Sequence, residues 1–183
     1  MIVNPYFRKL DIKDCNHELL LNFDRYQEVN KCYRKENDKW IIKDVHFIDN
    51  WDNNRKKEII QNLIDCIKAG GTVYGAYIDD KLIGFSSVIN KLFGKNKEYV
   101  SLDYLHVSYD YRNKGIGKEL FKLSCLEAIR MSANKLYISA QSSVESQGFY
   151  RSLGCIETVE LNQKLYEKEP YDCHMEYVLK KLK

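Results

Sequence analysis

The sequence predicts a mixed α/β fold of the α+β type: a mostly antiparallel sheet with one parallel strand pair and helices on both faces. Three observations predict it. Thr72 to Ile78 and Leu82 to Ile89 are rich in Val, Ile and aromatics and are separated only by the turn pair Asp79-Asp80, which makes an antiparallel hairpin. Ile60, Leu63, Ile64 and Ile67, and later Ile116, Leu120, Leu123 and Cys125, Ala128 and Ile129, recur at helical spacing. Strand, helix, strand between Ser101 and Ala140 forms a crossover unit, which sets its two strands parallel.

Taken in order, the first fifty residues carry the weakest pattern. Lys13 to Asn22 reads as weakly helical, and Tyr26 to Arg34 and Trp40 to Lys43 read as two strands joined by the polar turn Lys35 to Lys39. Asp52 or Asn53 can cap the first clear helix, and Gly70-Gly71 can stop it. After the hairpin, Lys91 to Lys97 is a basic, glycine-containing loop into a third strand from about Glu98 to Ser108. A second helix begins at Gly115, and Leu136 to Ala140 is a short strand. Ser143 to Leu153 is a shorter helix closed by Gly154, and Cys155 to Leu161 and Cys173 to Leu179 read as closing strands.

Composition bounds the function. The chain has 183 residues, read as a single domain over 1–183. The 29 Lys and Arg nearly balance 26 Asp and Glu with signs interleaved, so no nucleic-acid partner is expected, and Arg55-Lys56-Lys57 and Lys180-Lys181 read as solvated faces. Ala69 to Ile78, the longest uncharged stretch, is too short to cross a bilayer, and the amino terminus lacks a basic start followed by an apolar core. No membrane association and a cytoplasmic location follow as expectations. Six scattered cysteines without a Cys-x-x-Cys pair read as buried apolar side chains in a reducing compartment, and no metal site is expected. Monomer and homodimer are both compatible with this composition.

Arg112-Asn113-Lys114-Gly115-Ile116-Gly117-Lys118 is the most informative segment, set between a strand and a helix. Its glycines permit close approach of the main chain, the helix start offers unpaired N–H groups and a positive dipole end, and Arg112, Lys114 and Lys118 add charge, a combination suited to a pyrophosphate. A P-loop would need Ser or Thr where Glu119 stands and glycine where Arg112 stands. A dinucleotide fingerprint would need a third glycine at Leu120. Nor does Gly84-Phe85-Ser86-Ser87-Val88 make a nucleophile elbow, since the second glycine is missing.

Arg-x-x-Gly-x-Gly after the strand residues Leu105-His106-Val107, followed by Phe149-Tyr150-Arg151-Ser152-Leu153-Gly154-Cys155, resembles the GNAT superfamily of acyl-CoA-dependent N-acyltransferases over about Gly71 to Leu179. The resemblance implies a splayed parallel strand pair. It implies that acetyl-CoA lies in that gap as acyl donor, its pantetheine arm along the main chain of Leu105, His106 and Val107. Its pyrophosphate would meet the N–H groups of Arg112, Asn113, Lys114, Gly115, Ile116, Gly117 and Lys118. Ser143 stands where many members carry Asn and is implied as a further cofactor contact, and Cys155 replaces a phenylalanine-like residue. On this division, 71–183 is the acetyl-CoA-binding core and 1–70 the acceptor-side portion.

The chemistry then requires an acid and a base. A primary amine near the lysine reference pKa is only about 1 part in 2,500 neutral at pH 7, so a proton must leave before a thioester is attacked. The departing thiolate needs a proton from a weak acid, and the resemblance assigns that role to Tyr150. Asp103 stands where many members carry an acidic residue, though strict alternation would put it on the face of Leu105 and Val107 unless a bulge intervenes. His106, Glu98 and Glu145 are further candidate bases, and a bound water is another. Trp40, Trp51, Tyr26 and Tyr33 are candidates for the acceptor pocket. The expected function is N-acetyl transfer to a small-molecule or peptide amine by direct attack; the alternative is a non-catalytic acyl-CoA sensor.

Overall fold

A computed structural model describes residues 4–179; Lys180-Lys181 lie outside the described residues. Nine strands and four helices follow the chain as β1 (Tyr6–Lys9), β2 (Gln27–Glu36), β3 (Lys39–Asp49), α1 (Asn53–Lys68), β4 (Thr72–Ile78), β5 (Lys81–Phe93), β6 (Tyr99–Val107), α2 (Ile116–Arg130), β7 (Lys135–Ala140), α3 (Val144–Ser152), β8 (Ile156–Glu157), α4 (Gln163–Lys168) and β9 (Cys173–Val178). Seven strands make one sheet in the order β1-β4-β5-β6-β7-β9-β8, while β2 and β3 form a separate ribbon. Among the described residues only β6 and β7 run parallel; every other pairing there is antiparallel.

Helices α1, α3 and α4 start on side chains that cap them, whereas α2 starts at Gly115 without a side-chain cap. Asp52 caps α1 by accepting from Arg55 N at 2.7 Å, and Gly70 and Gly71 return their N–H groups to Ile67 and Cys66. A Cβ at Gly71 would stand 2.5 Å from Cys66 Sγ, which fixes glycine there. On one sheet face α1 buries Ile59 and Leu63 against Val73 and Phe85; on the other, α2 buries Ile116 and Leu120 against Ala76 and Ile83. Each such side chain contributes roughly 1.5–3 kcal/mol relative to exposure. Alternation puts Val73 and Ala76 of β4 on opposite faces, and on β5 a register shift that leaves Ile83 as an extra residue sends Ile83 and Phe85 to opposite faces as well, one facing each helix.

Several boundaries differ from expectation for local reasons. Lys13 to Asn22 forms successive turns, because Asp11 Oδ1 accepts from Lys13 N and Asn16 Oδ1 from Glu18 N, competing with helical bonding. The Cys155 to Leu161 strand shrinks to Ile156–Glu157. There the Glu176 carboxylate accepts from Val159 N, and Thr158 Oγ1 exchanges bonds with Glu160, turning the chain into the unexpected α4, capped by Asn162. β3 runs on to Asp49 and β5 to Phe93, beyond the expected Lys43 and Ile89.

A two-stranded ribbon is marginal alone, and this one is tied down at its neighbours. Tyr33 N donates to Ser142 O at 2.8 Å, Arg34 Nη1 to Ser142 Oγ at 2.6 Å, and Trp40 Nε1 and Lys35 Nζ both reach the Glu157 carboxylate.

Candidate functional site

The parallel pairing of β6 with β7 ends at Leu102–Ile138, yet β6 continues to Val107. Beyond that point the strands part and leave a cleft of about 900 Å³, within the usual range for a ligand pocket. The parting starts at a bulge. Ser87 pairs with Tyr104 and its neighbour Val88 with Leu102, so Asp103 is the extra residue on β6. Alternation is therefore broken at Asp103, which sits exposed in the cleft lining. Around the carboxyl, neighbouring protein atoms reduce hydration and raise its pKa, against the lowering influence of Lys168 and Arg55. Its surface is open on one side while its flanks are crowded, and both facts hold together.

On the far side of the bulge β6 keeps its pairing with β5 through Gly84–Val107. His106 O lies 3.2 Å from the place a Cβ on Gly84 would take, so the His106 peptide faces β5 and those of Leu105 and Val107 face the gap. One of these gap-facing groups is already used: Arg112 Nε donates to Val107 O at 3.0 Å, and its Nη2 donates to Arg25 O at 2.9 Å. Lys114 Nζ likewise donates to Asp110 O at 2.7 Å. Two of the three cations read as phosphate ligands thus hold the shape of the turn. Arg112, Asn113, Gly115, Gly117 and Lys118 line the cleft, while Lys114 does not and the Ile116 side chain is core.

The turn needs left-handed backbone at Asn113 (φ 60°) and Gly115 (φ 83°), directly before α2. Nothing stands within 4 Å of a Cβ built on Gly115, whereas one on Gly117 would sit 3.3 Å from the Phe149 ring. The first turn of α2 therefore opens into the cleft beside α3, with unpaired N–H groups at the positive end of the helix.

Tyr150 lines the opposite wall, half-buried on α3, its ring edge-on to Phe121 at 6.3 Å and to Phe149 at 5.1 Å. Burial, reinforced by its neighbours Cys155 and Asp172, raises its phenol above the ordinary value, so the proton stays on at neutral pH. His106 also lines the cleft but is no free base. Its ring meets Trp51 edge-on at 4.8 Å, and burial together with Arg25, Arg112 and Arg55 depresses its pKa well below 6.5. Glu145 and Tyr26 line the cleft; Glu98 is engaged with Lys135 at 3.4 Å, and Trp40 binds Glu157.

Ser143 is the residue expected as a further cofactor contact. It is fully buried as the cap of α3, where its Oγ accepts from Ser146 N at 3.2 Å and bonds to Ser146 Oγ at 2.9 Å, and it does not line the cleft. Cleft residues with no local signal are Arg25, Gln141 and Ser139. Arg25 Nη2 and Gln141 Nε2 reach the same oxygen, Asp49 Oδ2, each at 2.7 Å, tying the end of the ribbon to the β7–α3 loop. Ser139 Oγ donates to Asp172 Oδ2 at 3.0 Å. Among the described residues no cluster of metal-ligating side chains occurs, and no helix is long and apolar enough to cross a membrane.

Residues 26–155 match the family described as acetyltransferase (GNAT) family. No curated protein matches the chain by sequence. Among solved structures, the chain is similar to nourseothricin acetyltransferase, with 16% identity and TM-score 0.69 over 96% of this chain and 99% of that one. It is also similar to aminoglycoside 6'-acetyltransferase type Ii, with 16% identity and TM-score 0.62 over 97% of this chain and 99% of that one. A third likeness is to PaiA N-acetyltransferase from Thermoplasma acidophilum in complex with coenzyme A, with 15% identity and TM-score 0.59 over 96% and 99%. At these identities the likeness carries the fold.

Proposed function

The chain belongs to the acetyltransferase (GNAT) family, and on that premise we propose that it transfers the acetyl group of acetyl-CoA to an amine of a small molecule or peptide by direct attack. The observation that carries the reading is that one cleft holds both sets of groups. Its one end combines gap-facing peptide groups of Leu105 and Val107 with the open first turn of α2, and its other end holds Asp103 and Tyr150. The residues present fit the donor: a strand edge can pair with the amides of a pantetheine arm, and helix N–H groups with Lys118 can bind a pyrophosphate.

In this reading Asp103 meets the positive charge of the acceptor amine. The neutral amine attacks the thioester carbonyl, and Tyr150, kept protonated by burial, gives its proton to the departing thiolate. Residues 71–183 bind the donor and 1–70 shape the acceptor side. The named acceptors of the similar structures, nourseothricin and an aminoglycoside, and the N-acetyl activity in the name of a third, support an amine acceptor.

The test is turnover on a panel of amines, read as free thiol release together with mass-spectrometric identification of the acetylated product. Amine-dependent thiol release with a mass gain on nitrogen is expected. Tight acetyl-CoA binding without amine-dependent thiol release would instead establish a sensor.

A further inference from the structure

Ser139 lies near the end of β7, its side chain in the cleft lining. Behind it stands Asp172, the last residue before β9, placed by the pairing of Ala140 with Cys173 and by a turn in which Asp172 N donates to Glu169 O at 3.1 Å. The Ser139 hydroxyl is turned to this carboxyl: Oγ donates to Asp172 Oδ2 at 3.0 Å. The oxygen lone pairs of Ser139 are then left for a donor in the cleft, and a protonated amine is such a donor.

The surroundings of Asp172 suit a group that takes up a proton rather than one that holds a fixed charge. Glu169 faces it from its own turn, Tyr150 from α3 and Cys173 from the start of β9, and among the described residues it makes no salt bridge. Burial, reinforced by Glu169 and opposed by the Ser139 hydrogen bond, pushes its carboxyl up to about 6. Crowding raises the Asp103 carboxyl too, but there Lys168 and Arg55 oppose the shift, whereas among the causes at Asp172 no cation does.

We propose that Ser139 and Asp172 form the proton-accepting pair of the transfer: Ser139 is the catalytic residue that touches the acceptor amine, and Asp172 is the positioning residue behind it. The inference rests on the acyltransfer reading above. As the ammonium N–H bond breaks, its proton passes to Ser139 Oγ while the hydroxyl proton of Ser139 passes to Asp172 Oδ2. The freed lone pair forms the N–C bond, the C–S bond breaks, and the thiolate takes the Tyr150 proton. The second nitrogen proton restores the phenol, and Asp172 gives up its proton to solvent, so ammonium and thioester become amide, thiol and one proton.

The test is the pH profile of kcat/KM in the intact chain, with an acceptor whose own pKa lies well above 8, for the unsubstituted protein and for Ser139→Ala, Ser139→Thr and Asp172→Asn. A base works in its ionised form, so activity should rise with pH through a limb near 6. Asp172→Asn should remove that limb and lower kcat roughly a hundredfold, the size expected of a lost general base. Ser139→Ala should do the same, and Ser139→Thr, which keeps the hydroxyl, should restore most of the rate. Acetyl-CoA affinity should be unchanged in all three, which a merely structural role would not predict. Survival of the limb in Asp172→Asn, or full activity in Ser139→Ala, overturns the pair while the acyltransfer reading stands. If the unsubstituted chain acetylates no amine, both fall.

Discussion

The two ends of the cleft are built in opposite ways. At the Arg112 to Lys118 end the side chains serve the backbone: Arg112 holds Val107 O and Arg25 O, Lys114 holds Asp110 O, and the groups left open are peptide N–H. At the Asp103 end the backbone is spent on sheet pairing and on a bulge, and the groups left open are the carboxyl of Asp103, the hydroxyl of Ser139 and the phenol of Tyr150. One end offers a fixed array of dipoles, which binds a large anion well and does no proton transfer. The other offers titratable side chains, which can move protons and bind weakly. On the proposed function, which pairs a large donor with an amine acceptor, the chain gains from keeping these tasks apart.

That contrast breaks most sharply at Gly117. Gly117→Glu puts a Cβ 3.3 Å from the Phe149 ring and a carboxylate at the mouth of the first helical turn. An acidic side chain is favourable to a helix start, so folding should survive, while the same charge repels a phosphate from the N–H array. Acetyl-CoA affinity should fall at least a hundredfold by calorimetric titration, with the melting temperature little changed. Unchanged affinity would move the pyrophosphate away from this turn.

At the other end, Tyr150→Phe keeps the ring packed edge-on to Phe121 and removes only the hydroxyl. The rate constant kcat should drop by roughly tenfold to a hundredfold, with acetyl-CoA affinity unchanged, as expected for an interaction made only while the thiolate departs. Equal loss of affinity and rate would make Tyr150 part of the donor-binding wall and erase the division between the ends.

How much of this was legible follows the same division. The Gly115 to Lys118 turn is encoded by residue types within a few positions, so its conformation, with φ 83° at Gly115, can be read from the string. The β4–β5 hairpin and the crossover between β6 and β7 are legible for the same reason. Asp103 is a different case: its outward position depends on which residues of β5 it fails to pair with, and register across a sheet leaves no mark in a single strand. Ser139 and Asp172 stand 33 positions apart, and Gln141 and Asp49 stand 92 apart, so their hydrogen bonds exist only once the sheet has closed. Ser143 carries two signals at once, since a serine before a helix also serves as a cap, and its Oγ accepts from Ser146 N. The helix α4 did leave a signal, the cap residue Asn162, but the mixed apolar and polar stretch from Cys155 to Leu161 before it resembled a longer strand.

The smallest expected effect tests whether the donor end depends on main-chain shape alone. Gly115 adopts φ 83°, which costs an L-residue roughly 1–2 kcal/mol, and no neighbour stands within 4 Å of the Cβ that alanine would bring. Gly115→Ala should therefore pay only in strain, lowering the melting temperature by about 2–8 °C for a chain of this size. Because the turn is also held by Arg112 and Lys114, its N–H groups should stay in place, and acetyl-CoA affinity should change by less than about tenfold, or 1.4 kcal/mol. A larger loss of affinity at an equal loss of stability would mean that the donor packs directly on the Gly115 face, so that close approach and not peptide hydrogen bonding sets the glycine requirement at this end of the cleft.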